Sequence, residues 1–119
     1  MGFVRAKGLI GASKERAREV EFLVDSGSAY TILPPSLARE LGLVSTLSER
    51  VMLADRRTIV MPLAAAHLEL LQREGGILTG IMDVPVPLLG VFALETLGLK
   101  IDPVSESLEY SRPFGPALL

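Results

Sequence analysis

The chain has 119 residues, a length that suits one domain with one hydrophobic core. Twelve Lys and Arg against fourteen Asp and Glu give a formal net charge of -2, which offers no support for a nucleic-acid partner. The sequence contains no Cys. This excludes disulfides, thiolate nucleophiles and Cys-based zinc sites, and it fits a reducing compartment.

Charges are scattered through the first twenty residues, and no run of about 18 apolar residues occurs. We therefore expect a cytoplasmic protein with no membrane partner. One His without any Cys argues against a metal site, and the glycines at 75 and 76 lack the Lys of a phosphate loop, so no cofactor is expected. Hydrophobic residues make up 49% of the chain, which suggests that some apolar surface is buried between subunits.

The first third of the chain predicts a hairpin and a helix. Two extended runs, 2–12 and 17–24, are separated by the polar sequence SKER. The sequence PPSLARELGL at 34–43 predicts a short helix, because Pro35 suits a first helical turn and Gly42 can end the helix.

The middle of the chain predicts two further hairpins. The apolar runs of 50–63 are hinged at ADRR, and those of 64–84 are hinged at REGG, with Gly75 and Gly76 at the turn. The sequence VPVP at 84–87 cannot be a central strand, because each Pro lacks a backbone donor. We expect a connector there.

The last third predicts a short helix from about Val91 to Leu97, closed by Gly98. The segment KIDPVSESLEYS at 100–111 favours a final hairpin or edge strand. We therefore expect a single domain over 1–119, with its core at about 3–110 and a Pro-interrupted tail at 111–119.

A carboxylate interrupts the apolar run of EFLVDSGSAYTIL, at the point where a strand should enter the core. Asp25 follows Phe-Leu-Val and precedes Ser-Gly-Ser. An Asp before Ser-Gly is in isolation usually a turn residue that bonds its own backbone. A second feature, the sequence PLLG at 87–90 before the last helix, favours a functional interpretation when it is combined with the first.

These two features together resemble the retropepsin-like aspartic proteases, in which an apolar pair precedes Asp-Thr/Ser-Gly-Ala/Ser and an apolar-apolar-Gly enters a short helix near the C-terminus. The matching sequences are LVDSGSAYTIL and LLGVFALETLGLKID, and the run LGLKIDPVSESLEY is similar to the microbial branch. The resemblance covers about 18–110. It implies an all-β, acid-protease-like closed barrel with one or two short helices, and Asp25 as the catalytic residue.

The chemistry of such a protease requires two carboxyl groups that share one proton. The ionised group takes a proton from a water molecule while the protonated group donates to the substrate carbonyl. Asp55, Asp83 and Asp102 lack the small-residue turn that follows Asp25. The sequence therefore predicts a homodimer in which Asp25 meets its own copy, and monomers that are inactive.

Three small residues are expected to support this Asp. Gly27 lets the backbone turn sharply and lets amide groups approach the carboxylate. The resemblance assigns to Ser26 a hydrogen bond across the subunit boundary. A hydroxyl at Ser28 could donate to the carboxylate and favour its ionised form.

The resemblance places Leu88, Leu89 and Gly90 under the catalytic loop. The two leucines would pack there, and Gly90 would allow two chain segments to pass closely. We expect these residues to support the reaction without taking part in it.

The hairpin tip of Ala54, Asp55, Arg56 and Arg57 is the candidate flap over a bound peptide. Many members of the family have Gly where this chain has Arg56, so either the turn is of a different type or the flap is less mobile. Two adjacent Arg could attract acidic substrate residues, although solvated turn charges are the commoner explanation.

The sequence thus predicts a homodimeric aspartic endopeptidase that binds an extended peptide in a groove with mainly apolar pockets. A catalytically weak or inactive module for dimerisation or peptide binding is the alternative, favoured by Arg56. A processing domain dedicated to one partner is another. His67 is expected at the surface or on an edge strand, and GSAYT lacks the second Gly of a nucleophile elbow, which argues against a Ser-His triad.

Overall fold

The computed structural model describes residues 3–114. In this range the chain forms nine strands and two short helices. The strands are β1 (Arg5–Gly11), β2 (Arg18–Val24), β3 (Thr31–Leu33), β4 (Leu47–Met52), β5 (Thr58–Leu70), β6 (Arg73–Ile81), β7 (Leu88–Leu89), β8 (Leu99–Asp102) and β9 (Ser107–Tyr110), and the helices are α1 (Pro35–Glu40) and α2 (Val91–Leu97).

Six of the strands pair in a closed ring. The order runs from β1 through β2, β7, β3 and β6 to β5, and a β1–β5 pairing closes it. Strand β4 extends the sheet beyond β5, and β8 with β9 forms a separate antiparallel pair. The all-β class predicted from the sequence, with two short helices, is therefore confirmed.

The core lies inside this ring and is aliphatic, as the composition indicates. In β2, Val20 and Phe22 face inward while Glu19 and Glu21 are exposed, which is the period-2 alternation of a half-buried strand. The largest fully buried side chains include Phe22, Ile10, Leu33, Leu41, Leu63, Leu68, Leu70, Leu89 and Leu97. Both helices pack against this core, since Ala38 of α1 and Ala93 of α2 are buried.

The two helices end where the sequence predicts. Pro35 occupies the first turn of α1, and Gly42 follows the helix with φ 75°. Helix α2 ends at Gly98, which adopts the left-handed conformation with φ 68°. Gly is the residue that takes this conformation without steric cost.

The turn of the third hairpin lies elsewhere than the sequence predicts. Strands β5 and β6 are joined at Leu71 and Gln72, which have φ 53° and 65°, whereas Gly75 and Gly76 pair inside β6. A two-residue turn with both φ values positive matches the twist of antiparallel strands. The prediction failed because non-Gly residues adopt this turn here.

His67 lies on a central strand, so its predicted place at the surface or on an edge strand is wrong. It pairs with Gly76 of β6 on one side and with Gly11 of β1 on the other. The ring is half-buried, and its Nε2 lies 3.9 Å from Glu74 Oε1. The long strand β5 is covered on both edges because it closes the ring.

The remaining predictions for the chain order agree with the structure. Residues 84–87 form a connector, and β8 and β9 form the final hairpin. The end of the tail, 115–119, lies outside the described residues.

Among residues 3–114, no helix is long and apolar enough to cross a membrane, and no group of three His, Asp or Glu could hold a metal ion.

The double substitution Leu71→Asn with Gln72→Gly should stabilise the protein. Asn-Gly takes positive φ at both positions with little strain, so we expect the free energy of unfolding to rise by about 1 kcal/mol. Urea denaturation measures the change. Gly76→Ala serves as the control: a Cβ at this position meets nothing within 4 Å, so a large loss of stability there would contradict the assigned turn.

Candidate active site

Asp25 is the first residue after β2, and its backbone is bonded to the segment 87–89. The Leu23 amide donates to the Pro87 carbonyl and the Asp25 amide to the Leu89 carbonyl, both over 2.9 Å. These bonds continue the parallel pairing of β2 with β7. The position of Asp25 is thus set by a part of the chain more than sixty residues away.

The carboxylate of Asp25 is oriented by the loop that follows it. The Gly27 amide donates to Asp25 Oδ1 over 2.9 Å, and the Ser28 amide donates to the Asp25 carbonyl over 3.1 Å. A Cβ on residue 27 would lie 3.2 Å from Oδ1, closer than side chains normally approach. The geometry agrees with the function that the sequence assigns to Gly27.

Ser28 does not donate to the carboxylate, contrary to the prediction. Its Oγ donates to the Tyr30 carbonyl over 2.6 Å and so stabilises the loop itself. Ser26 is exposed beside Asp25, and its bond across a subunit boundary stays a prediction.

The segment Leu88–Gly90 lies directly behind the loop. Leu88 pairs with Leu23 on one side and with Ile32 on the other, and Leu89 is fully buried. A Cβ on Gly90 would lie 2.3 Å from the Tyr30 carbonyl oxygen, which is shorter than any real contact. Only Gly permits this approach.

Helix α2 is joined to the loop through backbone hydrogen bonds. The Val91 amide donates to the Ser28 carbonyl over 2.9 Å, and the Phe92 amide donates to the Ala29 carbonyl over 3.0 Å. The first turn of the helix therefore uses its unpaired amides to hold the loop that carries Asp25.

Thr31 is a supporting residue that the sequence analysis missed. It is buried, and its Oγ1 accepts a hydrogen bond from the Gly90 amide over 3.1 Å. A hydroxyl here satisfies a backbone donor that is buried under the loop. Its polar side chain at the start of the apolar run Thr-Ile-Leu was the available signal.

A cavity of about 510 Å³ opens beside the loop. Asp25 and Glu49 are its two acidic residues, and most of its remaining lining is apolar. The apolar side chains are Ala29, Ile32, Val51, Met52, Leu53, Ala54, Met61, Met82, Leu88 and Phe92. This composition agrees with the apolar pockets expected from the sequence.

The candidate flap borders this cavity through Ala54. Arg56 adopts the left-handed conformation with φ 70°, which is the one that Gly would favour, so a turn of a different type, one of the two alternatives from the sequence, is not supported. Arg57 is paired with Asp55 at 2.6 Å, which neutralises part of the charge at the tip. Attraction of acidic substrates by both arginines is not supported.

Tyr30 and Glu49 form a contact across the cavity that sequence reasoning missed. The Tyr30 hydroxyl donates to Glu49 Oε2, and the ring packs edge-on against Phe92 with centroids 5.4 Å apart. The hydrogen bond to Glu49, with a smaller contribution from burial, raises the pKa of Tyr30. The two residues are nineteen positions apart, and no sequence pattern links them.

Gly90→Ala should strongly destabilise the protein. The added methyl would collide with backbone atoms of Tyr30, which cannot move without displacing the loop, so we expect a loss of about 3 kcal/mol in the free energy of unfolding. Gly76→Ala adds the same methyl to open space and should change stability by less than about 0.5 kcal/mol. Urea denaturation of both variants tests the contact; equal effects would contradict it.

Comparison with known proteins gives a match to a family model and matches to solved structures. The family model described as Aspartyl protease matches residues 8–90, which include both Asp25 and the segment 88–90. The comparison with curated proteins gives no match.

Among solved structures, the fold is similar to EIAV protease in complex with the inhibitor HBY-793, with a TM-score of 0.62, 14% identity, and 78% of this chain and 86% of that chain covered. It is also similar to a retropepsin-like aspartic protease from Rickettsia conorii, with a TM-score of 0.61, 20% identity, and coverage of 85% and 77%. The family match extends over more than half of the described chain, and the similar structures share its strand architecture. The chain therefore belongs to the aspartyl protease family and has the retropepsin-like fold.

Proposed function

We propose that this protein is a homodimeric aspartic endopeptidase in which a water molecule is activated between two symmetry-related Asp25 carboxylates. The observation that supports this most directly is the Asp25 loop. Its carboxylate is oriented by the Gly27 amide at 2.9 Å and lines a cavity with apolar walls. Membership of the aspartyl protease family adds to it.

The reaction requires no group beyond water and the two carboxyl groups. The ionised carboxylate takes a proton from water, whose oxygen bonds to the peptide carbonyl carbon, while the protonated partner donates to the carbonyl oxygen. The nitrogen of the resulting diol then takes up the proton that the first carboxylate received from water, the C–N bond breaks as the C=O bond re-forms, and one diol hydroxyl returns its proton to the other carboxylate. The pair is left with one shared proton, as at the start.

The second carboxylate is assigned to a partner subunit because the other Asp side chains have different environments. Asp83 is exposed and does not line the cavity. Asp55 is held by Arg57 at the hairpin tip. Asp102 caps its own turn, with the Val104 amide and the Ser105 hydroxyl as donors. Ser26 is exposed next to Asp25, as a residue at a subunit boundary requires before association. A two-fold axis beside this loop supplies the missing group.

A peptide would bind extended between the cavity and the flap. Strand β4 is at one end of the strand order, so among residues 3–114 it pairs only with β5. Its free edge could accept a substrate strand through backbone hydrogen bonds, while alternate side chains enter the cavity. The proposed partners are thus a second copy of the chain and a peptide or protein substrate, and the cytoplasmic location stays part of the proposal.

A catalytically weak peptide-binding or dimerisation module is the second candidate. The observation in its favour is Arg56, whose φ of 70° places a strained non-Gly residue at the flap tip. A stiff flap would hinder substrate closure while leaving the groove and the subunit contacts intact. The dedicated processing domain differs from the main proposal only in substrate range.

Asp25→Asn should abolish hydrolysis and leave the fold and the dimer intact. The amide has the same shape but cannot take the proton from water, so we expect the rate to fall by about 1000-fold or more. The assay is mass-spectrometric detection of cleavage in a diverse peptide pool between about pH 4 and 6. Asp83→Asn is the matched control, since Asp83 is exposed on the connector, and it should cleave like the wild type.

Three outcomes are informative. Retained cleavage by Asp25→Asn would refute the mechanism. Wild-type protein that neither cleaves the pool nor binds a peptide mimic with a hydroxyl at the scissile carbon would favour the binding module. Cleavage of only one protein in a cell extract, with none in the pool, would favour the dedicated processing domain.

A further inference from the structure

Glu49 is an acidic residue in the cavity that the proposed reaction does not use. It lies on β4 two residues before Val51, and both side chains line the cavity because alternate residues of a strand share a face. Asp25, in the loop after β2, lines the same cavity. The proposed reaction uses the carboxylate of Asp25, whereas it gives no role to the carboxylate of Glu49.

The charge of Glu49 is not balanced within the described chain. Among residues 3–114, no Lys, Arg or His lies within 4.0 Å of its carboxylate, whereas the nearby Asp55 has Arg57 at 2.6 Å. The Tyr30 hydroxyl occupies Oε2, and no hydrogen bond within that range uses Oε1. A negative group therefore faces the cavity with one oxygen available to a ligand.

Tyr30 fixes the position of this carboxylate. The ring is held edge-on by Phe92, and its hydroxyl donates to Glu49. Tyr30 stays a protonated donor over a wide pH range, consistent with its raised pKa, whose main cause is the same hydrogen bond. An acceptor held in this way loses little side-chain freedom when a ligand binds.

The walls beside Glu49 suit a long aliphatic stem. Val51, Met52 and Met61 line the cavity with apolar atoms, and methionine adapts to unbranched chains. A lysine or arginine side chain combines such a stem with a cationic end that could reach the free carboxylate oxygen. An acidic or short polar side chain would satisfy neither part of the site.

The arginines of the same hairpin do not occupy the site. Arg50 alternates with Glu49 along β4 and does not line the cavity, and Arg57 is paired with Asp55. Arg56 lies at the hairpin tip and is also absent from the lining. The cavity thus keeps its two carboxylates as its charged groups.

We infer that Glu49 is a specificity-determining residue that selects a lysine or arginine side chain of the peptide substrate. The inference rests on the proposed function and goes beyond it by naming the substrate class. In a two-fold dimer each half contributes one such cavity, so the preference is expected on either side of the scissile bond. The basic side chain would lie along the apolar wall with its cationic end at Glu49.

The test starts from a peptide that the wild-type protein cleaves. Each position on both sides of the scissile bond is replaced in turn by Lys, by norleucine, which keeps the stem without the charge, and by Glu. At the position that enters the cavity, we expect kcat/KM to be about tenfold higher for Lys than for norleucine, because a charged hydrogen bond is gained. Glu should be the poorest of the three.

Glu49→Gln is the decisive variant, since its amide oxygen can still accept the Tyr30 hydrogen bond while the charge is lost. It should remove the advantage of Lys over norleucine, so that the ratio of the two kcat/KM values falls from about ten to about one. Glu19→Gln, at an exposed position on β2 away from the cavity, should keep the advantage. Glu49→Lys should reverse the preference toward the Glu peptide.

Several results would overturn the inference while leaving the protease intact. One such result is an equal rate for the Lys and norleucine peptides at every position. Another is an equal loss of rate with all peptides in Glu49→Gln, which would make Glu49 a positioning residue for Tyr30. Complete loss of cleavage in Glu49→Gln would assign Glu49 to the chemistry instead.

If the wild type cleaves nothing, the proposed function fails, and calorimetry with two reduced-amide peptide pools, matched except for Lys or norleucine, tests the site by itself. About tenfold tighter binding of the Lys pool would retain the inference. Equal binding would end it.

Discussion

The close contact between the Asp25 loop and the segment 88–90 is the constraint on which the site depends. The Asp25 amide is bonded to the Leu89 carbonyl at 2.9 Å, and a Cβ on Gly90 would lie 2.3 Å from the Tyr30 carbonyl oxygen. Because the two segments are far apart in sequence, this contact forms only when the ring of strands closes. The position of the loop therefore depends on the whole fold, as pre-organisation of its carboxylate would require.

Two parts of the site differ in how they are held. The Asp25 loop is bonded on three sides, to β7, to the start of α2 and to itself through Ser28. The candidate flap is a hairpin tip whose turn contains a positive-φ Arg56. The proposed chemistry uses the first part, and the proposed substrate entry uses the second. The Tyr30–Glu49 hydrogen bond joins the two, because Tyr30 belongs to the loop region and Glu49 to the flap strand.

Local patterns in the sequence predicted much of the fold but little of the detail of the site. Gly98 marks the end of α2, since its φ of 68° is one that Gly alone takes easily. The turn at Leu71 and Gln72 carries no such mark, because the long-range pairing of β5 and β6 imposes it on ordinary residues. The hydrogen bond between Tyr30 and Glu49 depends on where distant segments meet. Resemblance to a family identified Asp25 as the candidate catalytic residue, but no pattern in the chain indicated that Glu49 lines the same cavity.

The most direct test of the central claim is the activity of mixed dimers of wild-type and Asp25→Asn subunits. Equal amounts of the two proteins are mixed and allowed to exchange subunits at constant total protein. If every active site needs one Asp25 carboxylate from each subunit, only dimers of two wild-type subunits are active, and we expect about a quarter of the wild-type activity. A solution mass of two chains should accompany it. Activity that falls only to about a half, in proportion to the wild-type chains, would show that each subunit works alone and would contradict the account.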